Sequence, residues 1–399
     1  MNQKFKINIL AASIAALTSM AAVADNQIQD KPDTKVDLSF RYRIETVDQV
    51  GFIDNAKAST LRTRATVKTQ WNSSFKTIIE FDDVSEIGWN DYNSGAGTSP
   101  NRTQFPVIAD PQGSEVNQAY IEYSNKDNRL AIGRQRILIG NQRFVGGVGW
   151  RQNEQTYDGL TYKGKLTENL NFNYAYVYNV NRIFGETVAA GDHTHNTHLL
   201  NADYKIGKSK LSAYYFAIDN QRLGTFSNNT LGVRFESKID QLDYILEFAS
   251  QSEATNNPNS YQANYYFVDT KYHMKDFTFG GGIELLGGDS VGGQGFTTSL
   301  ATLHGFQGWA DVFLATPVTG INDSFVDFSY KVNGYKLKAI YHDFSSDELS
   351  LNYGTELDFV LSKKLTSNLT GMLKMANFSS DNVNYKSRDK VWIMFTYKL

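Results

Sequence analysis

The chain has 399 residues, no cysteine, and 39 Lys plus Arg against 42 Asp plus Glu, a net charge of −3. Disulfides are therefore excluded, and a mild negative balance gives no case for a nucleic-acid partner. Mean hydropathy is −0.41, with 23 Tyr, 25 Phe and only six Pro, and no apolar run past the N-terminus is long enough for a membrane helix.

Lys4 and Lys6 open the chain, Ile7 to Ala22 is mostly apolar and small, and Ala22-Val23-Ala24 precedes Asp25. That three-part pattern is a secretory signal peptide over residues 1–24, too short and weakly flanked for a membrane helix. Residues 25–399 read as one domain, because no linker, composition shift or solenoid-type repeat divides them.

The first strand pattern follows at once. Val36, Leu38, Phe40, Tyr42 and Ile44 alternate with Asp37, Ser39, Arg41, Arg43 and Glu45. A second run places Leu61, Ala65 and Val67 opposite Arg62, Arg64 and Lys68. Side chains alternate between the faces of a strand, so each run is a ribbon with one apolar and one charged side. Two arginine pairs on one face suit the wet interior of a transmembrane barrel better than the outside of a soluble sandwich.

Further along, short connections such as Asn72-Ser73-Ser74, Gly207-Lys208-Ser209 and Asn333-Gly334 alternate with long ones, including 87–114, 139–155 and 287–322. Eight short and nine long connections make eighteen strands, and bacterial barrels have an even number, with short turns on the periplasmic side. The expected fold is all-β: a transmembrane antiparallel β-barrel of about 18 strands. Gly308 to Leu314 is expected as a short helix inside the loop 287–322, since a further strand would spoil the even count. The last strand sets Val391, Ile393, Phe395 and Tyr397 against Lys390, Trp392, Met394 and Thr396.

Alternation assigns the lumen. Arg41, Arg43, Arg62, Arg64, Lys68, Lys76, Arg134 and Arg136 are expected to point inward, with Asp37, Glu45, Glu80, Asp82 and Glu122. This wall is positive, whereas the strands further round carry mostly acids. The arginines can lower the barrier to anions and bind carboxylates or phosphates bidentately, or they can brace strands through Glu45, Glu80 and Asp82. Loops 87–114 and 139–155 mix aromatics, glycines and charges, so they are expected to fold inward and form a constriction. Tyr92, Arg143, Trp150, Arg151, Trp309 and Asp311 are the loop residues expected there.

Catalytic readings are weaker. His193, His195 and His198 have a metal-ligand spacing on paper, but they fall in a polar loop without cysteines or a second cluster and read as chance composition. No G-x-S-x-G elbow or phosphate-binding glycine loop is present. No enzyme activity, metal or cofactor is expected. The partners expected are outer-membrane lipid and lipopolysaccharide, the outer-membrane assembly machinery, and small or oligomeric anionic solutes.

Several stretches together resemble the alginate-export family of outer-membrane barrels, and more loosely the substrate-specific porins. They are Arg41-Tyr42-Arg43-Ile44-Glu45, Leu61-Arg62-Thr63-Arg64, Glu80-Phe81-Asp82 leading to Asp91-Tyr92-Asn93-Ser94, Glu115 to Tyr123, Gly133-Arg134-Gln135-Arg136, Arg143 to Asp158, and Gly308-Trp309-Ala310-Asp311. The resemblance implies an eighteen-stranded passive conduit in a Gram-negative outer membrane. It also implies an arginine-rich constriction, gated by loops, that favours acidic polysaccharide. The alternative is a general or small-nutrient porin in which the arginines only brace the wall.

Overall fold

The computed structural model describes residues 32–254 and 256–399; the expected signal peptide lies outside them. Eighteen antiparallel strands follow one another around a single sheet. They are β1 (Asp33–Gln49), β2 (Ala56–Gln70), β3 (Phe75–Asp91), β4 (Gly113–Ser124), β5 (Asn128–Gln135), β6 (Thr156–Lys165), β7 (Leu170–Asn181), β8 (Asp192–Ile206) and β9 (Ser209–Ile218). The second half comprises β10 (Asn228–Ile239), β11 (Leu242–Glu253), β12 (Gln262–Met274), β13 (Phe277–Leu286), β14 (Ile321–Val332), β15 (Tyr335–Ser345), β16 (Asn352–Lys364), β17 (Leu369–Ser380) and β18 (Arg388–Lys398). Each strand pairs with the next, and β1 pairs with β18 from Ser39↔Lys398 to Gln49↔Arg388, so the sheet closes and leaves no edge.

The alternation seen in the sequence becomes an inside-out distribution. Phe81 is 51% exposed on the outer face, and Val36, Ile79, Leu231, Val233 and Phe279 are exposed likewise, while Arg43 is 1% exposed inside and Glu45, Glu80 and Asp358 are buried. Apolar side chains face outward because hydrocarbon replaces water there; charges face a polar interior. Aromatic pairs such as Phe277–Tyr330, stacked at 4.4 Å, and Phe75–Tyr123 at 5.1 Å stand near the short-turn ends, the level at which interfacial rings belong.

Register shifts interrupt the ladder at Ala58/Thr60, Glu80/Phe81, Asp158/Gly159, Val177/Asn179 and Phe344/Ser345. Such bulges re-aim the side chains beyond them. Three expectations about strands and loops fail. The histidine run His193 to His198 is the start of β8, paired with β7, and is not a loop. Gly308 to Leu314 is not helical: Gln307, Gly308 and Asp311 have positive φ (54°, 80° and 61°). The amides of Trp309 and Ala310 are also taken by Asp358 at 3.1 Å and Glu356 at 2.7 Å, so they cannot join a helical ladder.

The third failure is Arg134. Its register partners are Ala119 and Asp158, which puts it on the phase of exposed Ile132, opposite to buried Gln135. β5 pairs with β4 only from Ala119 onward, so Val116 has no partner strand on that side. Arg134 fills this notch, donating to the Val116 carbonyl at 3.0 Å and to Asp158 at 2.8 and 3.1 Å. It bridges the wall instead of lining the lumen.

Candidate functional site

Two long connections, residues 136–155 and 287–320, enter the barrel and meet. Val145 and Leu300 form a parallel bridge, and Gly146 N–H donates to the Leu300 carbonyl at 2.8 Å. Phe144, Phe296, Trp309 and Phe313 join inward-facing Tyr265, Phe344, Phe378 and Trp392 in one apolar cluster. A third loop, 92–112, lays Tyr92 and Ile108 over Val47, Ala56 and Ala58 on β1 and β2. The polar groups of these loops then dock on the charged faces of the strands.

On the basic wall the docking partner is Trp150 to Glu154. Arg41 donates through Nε to Gln152 Oε1 at 2.9 Å, and through its terminal nitrogens to the carbonyls of Gly149, at 2.9 Å, and Arg151. Arg43 pairs with Asp110 at 3.0 Å and lies 4.5 Å above the Trp150 ring. Arg64 takes Asp82 at 2.6 Å, Glu80 at 3.6 Å, and Glu154. Arg136 takes Glu154 at 2.5 and 2.7 Å, and Glu80. Burial alone would raise the Glu154 carboxyl, but the bond from Arg136 and the charges of Arg64 and Arg62 hold it down to about 2.

Arg62 differs from these neighbours. It faces Arg41 across the β1–β2 ladder, is 6% exposed, and makes no ion pair among the described residues. Its Nε is buried without an acceptor. Arg41 likewise meets amide and carbonyl oxygens rather than a carboxylate, so this pair keeps its formal charge uncompensated at contact distance. Lys68 lies nearer the short-turn side, paired with Asp37 at 2.7 Å; Glu122 there takes Arg129 and Lys76 at 2.6 and 2.8 Å.

Beside β1 and β18, Asp311 is the hub. It receives Arg151 at 2.9 Å, Lys390 at 2.7 Å and His304 Nδ1 at 2.7 Å. Burial would raise its carboxyl, yet His304, Lys390 and Arg151 hold it well below its ordinary range. His304 stacks on Trp150 at 4.5 Å and accepts from Lys374 at 2.6 Å. Lys374 in turn lies 3.7 Å over Trp309. Arg143 pairs with Glu284 at 2.6 Å on the acidic side.

Glu45 is expected, with Glu80 and Asp82, to brace the strand arginines, but no strand arginine among the described residues reaches it. It holds Arg151 at 3.2 Å and Lys390 at 3.7 Å, because the loop guanidinium drops into the space above it. Reading by alternation missed Gln152, Glu154 and His304, and put Lys390 on the inner face of the last strand without giving it a role. Only the polar run Gln152-Asn153-Glu154-Gln155 directly after Trp150-Arg151 hinted at the first two. Among the described residues, no cluster of three or more metal-ligating side chains occurs.

A closed eighteen-stranded barrel with an apolar belt and a charged lumen narrowed by inserted loops defines a porin-type channel of the Gram-negative outer membrane, its belt against lipid. The chain belongs to the alginate export family, whose model matches residues 33–292. OccAB4 of Acinetobacter baumannii has the same fold, with TM-score 0.71 and 13% identity over 94% of this chain and 100% of that one. The outer membrane protein opdK of Pseudomonas aeruginosa gives 0.69 and 13% over 92% and 98%. OccK9 (OpdG) of the same organism gives 0.72 and 10% over 92% and 99%. No match is found among curated proteins.

Proposed function

We propose that the channel passes anionic solutes by passive diffusion, acidic oligosaccharides among them, and that Arg41 and Arg62 are the groups that favour them. The observation that carries this reading is the facing Arg41–Arg62 pair, which has no carboxylate within ion-pair distance although both side chains are buried. Uncompensated guanidinium groups at a narrow point attract anions and offer forked donors to carboxylate or phosphate. Residues 1–24 would direct export, and the assembly machinery of the outer membrane would insert the barrel. The second reading is a non-selective or small-nutrient porin. It is favoured by Arg43, Arg64 and Arg136, each of which is tied to carboxylates as a brace.

The test is the zero-current potential of the purified protein in a planar bilayer across a salt gradient. An anion preference that falls when Arg41 and Arg62 become Gln supports the filter. A weak or cationic preference, unchanged by those substitutions, moves the assignment to the general porin.

A further inference from the structure

A second set of donors lacks acceptors, away from the arginine comb, on the wall formed by β7 and β8. His193 and His195 are two residues apart on β8 and so share its inner face, 2% and 3% exposed. Their rings are 6.5 Å apart and within 15° of parallel. The hydrogen-bond network assigns the tautomer of the first. Asn220 Oδ1 accepts the backbone N–H groups of Arg222 at 3.0 Å and Leu223 at 2.9 Å, which turns its Nδ2 toward His193 Nδ1 at 3.0 Å. An amide nitrogen can only donate there, so Nδ1 accepts and the proton of the neutral imidazole sits on Nε2. That Nε2–H is buried and meets no acceptor among the described residues.

His195 repeats the arrangement. Its Nδ1 lies 3.0 Å from Thr197 Oγ1, which already accepts the Asp219 N–H at 3.0 Å. The threonine hydroxyl has no other acceptor among the described residues, so its proton goes to Nδ1, and Nε2 of His195 is a second buried donor without a partner.

Arg182 supplies the charge. It directly follows Asn181, the register partner of Asp192, and its guanidinium lies 5.6 Å over Phe226, whose ring is 6.4 Å from that of His193. It makes no ion pair among the described residues, and burial pushes its pKa below its ordinary value. Asp192 lies on the opposite phase of β8 and accepts from Asn179 at 2.6 Å. Buried donors left unpaired are costly, and a ligand that accepts from the two Nε2–H groups removes that cost, with the guanidinium of Arg182 available to balance its charge.

We propose that Arg182, His193 and His195 form a second, oxyanion-binding subsite at the long-loop end of the β7–β8 wall, taking the carboxylate or phosphate group of a solute. The donor set is two neutral N–H groups and one guanidinium fork, which matches oxygens rather than a metal ion: both free imidazole nitrogens carry protons. The subsite is separate from the Arg41–Arg62 pair, so either assignment can fail alone.

The test uses the full barrel in detergent with 15N-labelled histidine, titrated at neutral pH with sodium acetate and, separately, sodium phosphate, with sodium chloride as control. His193→Gln and His195→Gln assign the two Nε2–H signals. Both signals are expected to shift saturably with at least one oxyanion and not with chloride; shifts with acetate as well as phosphate support a carboxylate-tolerant site, and shifts with phosphate alone a phosphate site. Arg182→Met is expected to weaken the response at least tenfold, and Arg182→Lys, a gentler change to the fold, to weaken it less. Arg62→Gln is expected to keep it. The proposal is overturned if neither oxyanion shifts the signals beyond chloride, if both Arg182 variants respond like the parent, or if zinc chloride and not the anions produces the shifts.

Discussion

Glu154→Gln tests how the inserted loop is held. Glu154 ties the end of the inserted loop to Arg64 on β2 and to Arg136, the loop's own first residue beside the end of β5, and its carboxyl is held at about 2 against an ordinary 4.5. That difference corresponds to about 3 kcal/mol of preferential interaction with the charged form. Glutamine keeps the shape but not the charge, so the ratio of undocked to docked loop should rise by up to about a hundredfold. A carboxyl whose pKa is lowered on docking stabilises the docked state fully above its ordinary pKa and loses that contribution as pH falls through about 2. Single-channel recordings of the parent should therefore look alike at pH 7 and pH 5. Between pH 4 and pH 2 they should approach those of Glu154→Gln at pH 7, with longer high-conductance dwells and more open-channel noise. Dwell ratios within threefold of the parent at pH 7 would refute the latch, as would a parent channel indifferent to acid.

Further outcomes concern the same lumen. Arg62→Gln removes a charge about 5 Å from a passing ion, worth about 1–3 kcal/mol between water-like and intermediate dielectric, so the anion-to-cation permeability ratio should fall roughly tenfold in zero-current measurements. Arg64→Gln should change that ratio less, because Arg64 is already matched by Asp82 and Glu80. Asp311→Asn strands Arg151, Lys390 and His304 around a neutral group and should cost the docked loops about 3–5 kcal/mol, read as a lower temperature for the heat-dependent mobility change on electrophoresis. Gly308→Ala brings a methyl group into the Glu356 carboxylate at a φ of 80°, a left-handed conformation costing about 1–2 kcal/mol for other residues. Chymotrypsin should then cut faster at Phe306, Trp309 or Phe313, and an unchanged rate would count against the docking of that segment.

Period-two alternation made the barrel legible, because a strand between lipid and water has no other way to place Val36 to Glu45. The strand count held because loop length itself alternates. Local pattern failed where distant groups decide. Trp309, Val312 and Phe313 have spacing compatible with a helix, but Glu356 and Asp358, more than forty residues on, claim the amides of Trp309 and Ala310. Arg134 and Arg136 look equivalent in sequence. Gly133 takes a φ of 124°, β5 ends at Gln135, and the two arginines go to different places. The partners of Arg41 are more than a hundred residues away along the chain and include backbone carbonyls, which leave no trace in side-chain identity.

Glu45 stands on β1 and Lys390 on β18, the two strands that meet last, and Arg151 and Asp311 join them from the two inserted loops. One carboxylate of this cluster belongs to the first strand of the sheet and one ammonium to the last, with the loop pair between them, so it has no assembled form until the hoop is joined. Contacts of such long sequence separation form late. The loops are thereby fastened across the joint that a newly inserted barrel must seal, and each copy that carries its constriction in place is one whose seam has already closed.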